Sequence, residues 1–178
     1  RGNALQELKR LDEAVTSYAK ATAISPNFAA AFNNCGNALR EMKRWDQALV
    51  SYNKAIAISP DYADALYNRG NVLKDLGCLD EALASYDKAI ANHVGFSKAL
   101  TNRGNALQAL KRWDEALASY EKAIAINAAD VEASTNRGNA LQALGRLEEA
   151  LACYDHAIAI NPEYADAFSN RGSALQEL

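Results

Sequence analysis

Histidine is nearly absent from this chain. His93 and His156 are the two among 178 residues, and neither falls into a helical metal-ligand pair or a Ser/His/Asp arrangement. Cysteine is scarce too. Cys35, Cys78 and Cys153 are an odd number at unrelated spacings, which suggests neither a disulfide framework nor a zinc site and leaves them as small, partly buried thiols. The nine glycines do not cluster, so no phosphate-cradling loop is present. No apolar run approaches the roughly 18 to 20 residues of a membrane-spanning helix, because Lys, Arg, Asp or Glu interrupts every hydrophobic stretch within a few positions. A basic excess is lacking as well: 19 Lys and Arg against 22 Asp and Glu give a formal net charge of -3, which argues against a nucleic-acid partner. These absences lead us to expect no cofactor, no metal and no membrane insertion. The first residues, Arg1-Gly2-Asn3, include neither an initiator Met nor a signal-like segment. The expectation is an internal segment of a longer protein, with a cytoplasmic location favoured but not read from any signal.

What the chain does have is repetition. Gly2, Gly36, Gly70, Gly104, Gly138 and Gly172 are each separated by 34 residues. The same step relates Ala14, Ala48, Ala82, Ala116 and Ala150, then Tyr18, Tyr52, Tyr86, Tyr120 and Tyr154, then Ala21, Ala55, Ala89, Ala123 and Ala157. With three prolines and much alanine, each copy reads as helix. Within Ala29 to Tyr62 the pattern predicts two helices, about Ala29–Met42 and Asp46–Ile58, joined by Lys43-Arg44-Trp45. Phe32, Gly36 and Leu39 share one face of the first, and Ala48, Tyr52 and Ala55 share one face of the second. Gly36 and Ala48 are small where two backbones must approach, and Tyr52 fills the space beside them. Asp46, Asp80, Asp114 and Glu148 sit near the positive end of each second helix. Ser59-Pro60 and Asn161-Pro162 terminate it.

A 34-residue helical hairpin with Gly, then Ala-x-x-x-Tyr, then Ala, then Pro resembles the tetratricopeptide repeat over essentially the whole chain. The resemblance implies an all-α fold, a right-handed superhelical solenoid of antiparallel helix pairs. It divides the chain into a partial repeat at 1–28, complete repeats at 29–62, 63–96, 97–130 and 131–164, and the first helix of a further repeat at 165–178. Several positions depart from the pattern. Where the family prefers Leu before the glycine, this sequence has Arg1, Cys35, Arg69, Arg103, Arg137 and Arg171, whose arginine stems are expected to pack between helices while their heads reach solvent or a carboxylate. Ser134 replaces the large residue seen as Phe32, Leu66, Leu100 and Phe168, and should leave its repeat less well packed. Proline is missing from His93-Val94-Gly95-Phe96 and from Asn127-Ala128-Ala129-Asp130, and Gly95 marks the expected place for a change of curvature. Neither end carries a polar capping helix, so the chain reads as part of a longer array in which end-to-end self-association is possible.

The polar residues carry the functional signal. Asn34, Asn68, Asn102, Asn136 and Asn170 stand two residues before the repeated glycine, and Asn3, Asn37, Asn71, Asn105 and Asn139 stand one residue after it, with Ser173 breaking the series. The two positions are three residues apart and share a helix face. Asparagine is a mediocre helix former, so its recurrence in mid-helix calls for a reason. In tetratricopeptide proteins the first helices line a concave groove, and the resemblance implies that these asparagines form a ladder along it. A carboxamide carries both a donor and an acceptor, as a peptide group does. The expected partner is an extended protein or peptide segment bound with little regard for its side chains. The same asparagines could instead bridge adjacent repeats, or be copies retained from recent duplication.

The functional expectation is a non-enzymatic protein-interaction scaffold. The Asn ladder also resembles the superhelical arm of O-linked N-acetylglucosamine transferases, and Asn-Arg-Gly-Asn-Ala-Leu-Gln resembles bacterial repeats fused to glycosyltransferase-like domains. The alternative is therefore a substrate-recognition arm of a longer enzyme whose catalytic domain lies elsewhere. A basic clamp for chaperone tails is disfavoured because Arg40, Lys74 and Lys98 are scattered. Trp45 and Trp113 alternate with Leu11, Leu79 and Leu147 at the inter-helix turn and read as packing residues.

Overall fold

A computed structural model describes residues 10–178. Among them are ten α-helices and no strand, as the all-α expectation requires. They divide after His93 into two compact units. The first contains α1 (Leu11–Ile24), α2 (Ala29–Glu41), α3 (Trp45–Ile58), α4 (Ala63–Asp75) and α5 (Leu79–Asn92). The second contains α6 (Ser97–Ala109), α7 (Trp113–Ile126), α8 (Val131–Ala143), α9 (Leu147–Ile160) and α10 (Ala165–Glu177). In each unit the helices pair as hairpins, α2 with α3 and α4 with α5, then α6 with α7 and α8 with α9. First helices also touch the next first helix, α2 on α4, α6 on α8 and α8 on α10, so they form one continuous face within each unit.

One contact repeats through the core. Tyr52, Tyr86, Tyr120 and Tyr154 are fully buried, as are Ala48, Ala82, Ala116 and Ala150. Each tyrosine ring lies flush on the glycine of its own hairpin. A Cβ built on Gly36, Gly70, Gly104 or Gly138 would sit 2.5, 2.6, 2.4 or 2.5 Å from the ring's Cε1, closer than any side chain tolerates. Glycine costs an α-helix about 1 kcal/mol relative to alanine; here the burial of an aromatic ring offsets that cost. Gly172 has the same register on α10, yet nothing lies within 4 Å of its added Cβ.

The turn within each hairpin differs slightly from expectation. The first helix of residues 29–62 stops at Glu41, and Trp45 already belongs to the second. The cause is a left-handed residue at Lys43, φ 58°. Arg44 N–H donates to Leu39 C=O at 2.9 Å and Lys43 N–H to Arg40 C=O at 2.9 Å, the paired bonds of a Schellman stop. Gly77, Lys111 and Gly145 take the same position, at φ 79°, 58° and 72°. Lysine there holds a conformation that glycine adopts without strain.

Where proline is missing before α8, a different device starts the helix. Asp130 accepts from Ala133 N–H at 2.9 Å through Oδ1, while its Oδ2 accepts from Thr101 Oγ1 at 3.0 Å and Ser97 Oγ at 3.3 Å. The cap thus ties α8 to α6. Ser134 is buried and donates to or accepts from His156 Nδ1 at 3.1 Å. Beside it lies a cavity of about 220 Å³ lined by Ile124, Ser134, Arg137, Ala152, Cys153 and His156.

Two stability measurements follow. Gly104→Ala should lower the unfolding free energy by about 2–3 kcal/mol through overpacking against Tyr120, whereas Gly172→Ala should raise it by up to about 1 kcal/mol through helix propensity; paired denaturant melts compare them. Lys111→Gly should stabilise by about 1 kcal/mol by relieving the left-handed residue, and an unchanged melt would show that the lysine is not strained.

Candidate functional site

The asparagines predicted from sequence occupy the face formed by the first helices, and the structure separates their two registers. Those after the glycine are bound from below. The hydroxyls of Tyr52, Tyr86, Tyr120 and Tyr154 donate to Oδ1 of Asn37, Asn71, Asn105 and Asn139 at 2.8, 2.9, 2.8 and 2.9 Å. A buried phenol needs a partner for its O–H, and the asparagine one helix away supplies it. The 15-residue spacing from each Asn to its Tyr is constant in the sequence, yet helical periodicity does not reveal the pairing, because the two residues lie on different helices.

Three of the asparagines before the glycine, Asn68, Asn136 and Asn170, bridge neighbouring repeats. In the second unit, Asn136 Nδ2 donates to Asn105 Oδ1 at 2.9 Å and Asn170 Nδ2 to Asn139 Oδ1 at 2.9 Å. Asn102 Oδ1 accepts from Asn105 Nδ2 at 3.4 Å, and Glu132 Oε1 accepts from the same nitrogen at 3.2 Å. In the first unit, Asn68 Nδ2 donates to Asn33 Oδ1 at 3.1 Å, and Asn33 Nδ2 to Asn34 Oδ1 at 3.3 Å. Each of these asparagines therefore belongs to an internal network.

Those bonds fix which end of an amide remains available. With its nitrogen engaged, Asn136 keeps Oδ1 without a partner among the described residues, and Asn170 does the same. Asn139 accepts twice through Oδ1 and keeps Nδ2. Two glutamines join the set. Tyr120 donates a second, longer bond to Gln108 Oε1 at 3.1 Å, and Tyr154 donates to Gln142 Oε1 at 2.9 Å. Gln142 Nε2 then donates to Glu177 at 2.6 Å, while Gln108 Nε2 is unengaged among the described residues.

The arginine series has an equally regular partner. Arg69 and Arg103 donate through Nη1 to Ser85 Oγ at 3.0 Å and Ser119 Oγ at 2.7 Å, and Arg137 donates to Cys153 Sγ at 3.2 Å. The expected carboxylate contacts are present as Arg137 to Glu121 at 3.2 Å and Arg171 to Asp155 at 2.6 Å. Arg1 and Asn3 lie outside the described residues. Burial pushes the thiol of Cys35 up, against a hydrogen bond with Ser51; it does the same to Cys153, against Arg137. Cys78, expected to be partly buried, is exposed, because it stands in the turn before α5.

Among the described residues no group of three or more His, Cys, Asp and Glu could hold a metal ion. No described helix is long and apolar enough to cross a membrane.

The repeat geometry has a counterpart among known proteins. A TPR repeat family model matches residues 2–43, 36–77, 104–145 and 138–178, and a tetratricopeptide repeat model matches 63–93. The chain belongs to the tetratricopeptide repeat family. TPR proteins bind proteins or peptides and are generally non-catalytic scaffolds. Similar solved structures include YrrB, described as a TPR protein with an unusual peptide-binding site, at 24% identity and TM-score 0.81 over 96% of this chain and 88% of that one. MamA is similar at 22% identity and TM-score 0.85 over 92% and 96% of the two proteins. A thermophilic TPR protein in Thermus thermophilus shares 24% identity at TM-score 0.73, over 98% and 95%. At these identities the likeness is one of fold. No curated protein sequence matches the chain.

The buried tyrosines of this TPR array give a pH prediction. Burial pushes the Tyr154 hydroxyl up to about 12 and those of Tyr52, Tyr86 and Tyr120 further. The unfolded phenol ionises near pH 10, so the stability held in these protonated hydroxyls is complete below that pH and is lost as pH rises through the folded values. Tyrosinate absorbance should therefore lag that of a free phenol, and its final rise should coincide with loss of helical circular dichroism. A tyrosinate signal that completes near pH 10 with the helices intact would contradict the burial.

Proposed function

We propose that this chain is a protein-interaction scaffold that holds an extended peptide along the face made by its first helices. The supporting observation is the orientation of the amides. In the second unit Asn136 and Asn170 keep acceptors, and Asn139 and Gln108 keep donors, each turned by its bond to a buried tyrosine or to a neighbouring amide. An extended backbone presents N–H and C=O groups in alternation, and fixed amides of both kinds can pair with it without reorganising. First helices stack about 8–10 Å apart, whereas a strand rises about 3.3 Å per residue, so successive rungs meet about every third ligand residue. Such contacts read backbone more than side chain. No observation on the described residues favours the alternative of a glycosyltransferase arm.

The test is to pan a display library of random dodecapeptides on the protein and measure the selected peptides by fluorescence anisotropy. Combined Asn102→Ala, Asn136→Ala and Asn170→Ala should weaken them at least about tenfold. Each lost amide bond should also cost about 1 kcal/mol of stability, so binding is compared at a temperature where circular dichroism shows both proteins folded. In parallel, shifts of the wild-type amide resonances should map the peptide onto α6, α8 and α10. Unchanged affinity, or shifts confined to the second helices, would overturn the proposal.

A further inference from the structure

Resting on the peptide-scaffold proposal, one place on the first-helix face is built differently from its repeats. A depression of about 370 Å³ lies between α6, the start of α7 and α8, lined by Asn105, Gln108, Ala109, Trp113 and Asn136. We infer that it is a subsite for one uncharged apolar side chain of the ligand, whose adjoining peptide group is held by Gln108 and Asn136.

Three features of the second unit meet here. The first is a small residue at the rim. Ala109 is exposed, and the same register on α2, α4 and α10 carries the carboxylates Glu41, Asp75 and Glu177. Its methyl leaves the depression open and uncharged. The second is an indole. Trp113 begins α7 half-buried, where α9 begins with the smaller Leu147, so a broad apolar wall stands against the opening. The third is an amide with its donors available. At the equivalent place on α8, Gln142 is closed off by Glu177 at 2.6 Å. Gln108 has no such carboxylate, and its oxygen is held at Tyr120, so its NH₂ group is the end left for a ligand.

The chemistry of the occupant follows. None of the five lining residues is charged. A ligand carboxylate would lose water there and face Glu132, which accepts from Asn105 Nδ2 at 3.2 Å, whereas an aliphatic or aromatic group gains contact with the indole. The polar edge requires something more than an oily side chain. Gln108 Nε2 offers donors and Asn136 Oδ1 an acceptor, and covering them without partners would carry the cost of unsatisfied groups. A residue that brings an apolar side chain and its own backbone carbonyl and N–H satisfies both demands. Glycine brings the peptide group alone, and aspartate adds a charge.

The test uses the whole protein, labelled with nitrogen-15, and the probe N-acetyl-leucine N-methylamide, which is one side chain between two peptide groups. Titration should move the side-chain NH₂ resonances of Gln108 and Asn136 together with the indole N–H of Trp113. The glycine and aspartate analogues should bind at least about fivefold more weakly. Gln108→Met, which keeps the length and removes the donors, should weaken the leucine probe about fivefold, the scale of one hydrogen bond, and Gln142→Met should leave it unchanged. Equal binding of the three probes, an unaffected Gln108→Met variant, or shifts located elsewhere would overturn the subsite. Peptides from the display selection separate this failure from that of the wider proposal. If they depend on Asn102, Asn136 and Asn170 but tolerate Gln108→Met, the peptide face stands and the subsite falls. If no peptide is selected at all, the peptide face falls, and the leucine probe still decides the subsite.

Discussion

A tyrosine laid flat on a glycine is the contact from which the rest of the structure follows. It lets the ring close on the first helix to a distance that any Cβ would forbid, and it brings the phenol hydroxyl across the hairpin to the asparagine that follows the glycine. That phenol cannot be buried unpaired, so an amide must stand where its hydroxyl emerges. The amide oxygen in turn has a second lone pair, and in the second unit an asparagine of the neighbouring repeat donates to it. Packing, polar satisfaction and the joining of repeats are thus consequences of one aromatic residue per copy.

Most of the fold was legible because it is periodic. A 34-residue step in Gly, Ala and Tyr sets the helices, their pairing and their close approach, and each of those depends on residues near in sequence. The turn was read one residue out. Lysine at 43 and 111 gives no sign of a left-handed stop, although Gly77 and Gly145 at the same step do. The cap made by Asp130 was hidden for the opposite reason: its partners Ser97 and Thr101 are about thirty residues away and belong to another helix.

The polar face was legible in position and illegible in detail. Recurrent asparagine in mid-helix pointed to these side chains, and both a ligand face and a bridge between repeats were open readings. In the structure the bridges are present, and they act on the same amides that a ligand would use. What sequence could not supply is which atom of each carboxamide is spent, since donor and acceptor look alike until the partner across the hairpin is known. The constant interval from Asn105 to Tyr120 and its equivalents is the signal that would have found it. The arginine before the glycine has a matching interval to Ser85, Ser119 and Cys153, so two rows of polar contacts, one to each side of the buried ring, hold every described hairpin from 63 to 164.

The shared proton of Tyr120 has a further consequence. One hydroxyl serves two oxygens, on Asn105 and on Gln108, and the Asn105 oxygen also receives a proton donor from Asn136. The surface amides and the core phenol are therefore a single electrical circuit: withdrawing density at the rim strengthens one branch at the expense of the other. A ligand of the kind proposed, settling on that rim, would be felt by the ring that keeps α6 and α7 together, so the proposed recognition would be governed by the same atoms as the cohesion of the hairpin.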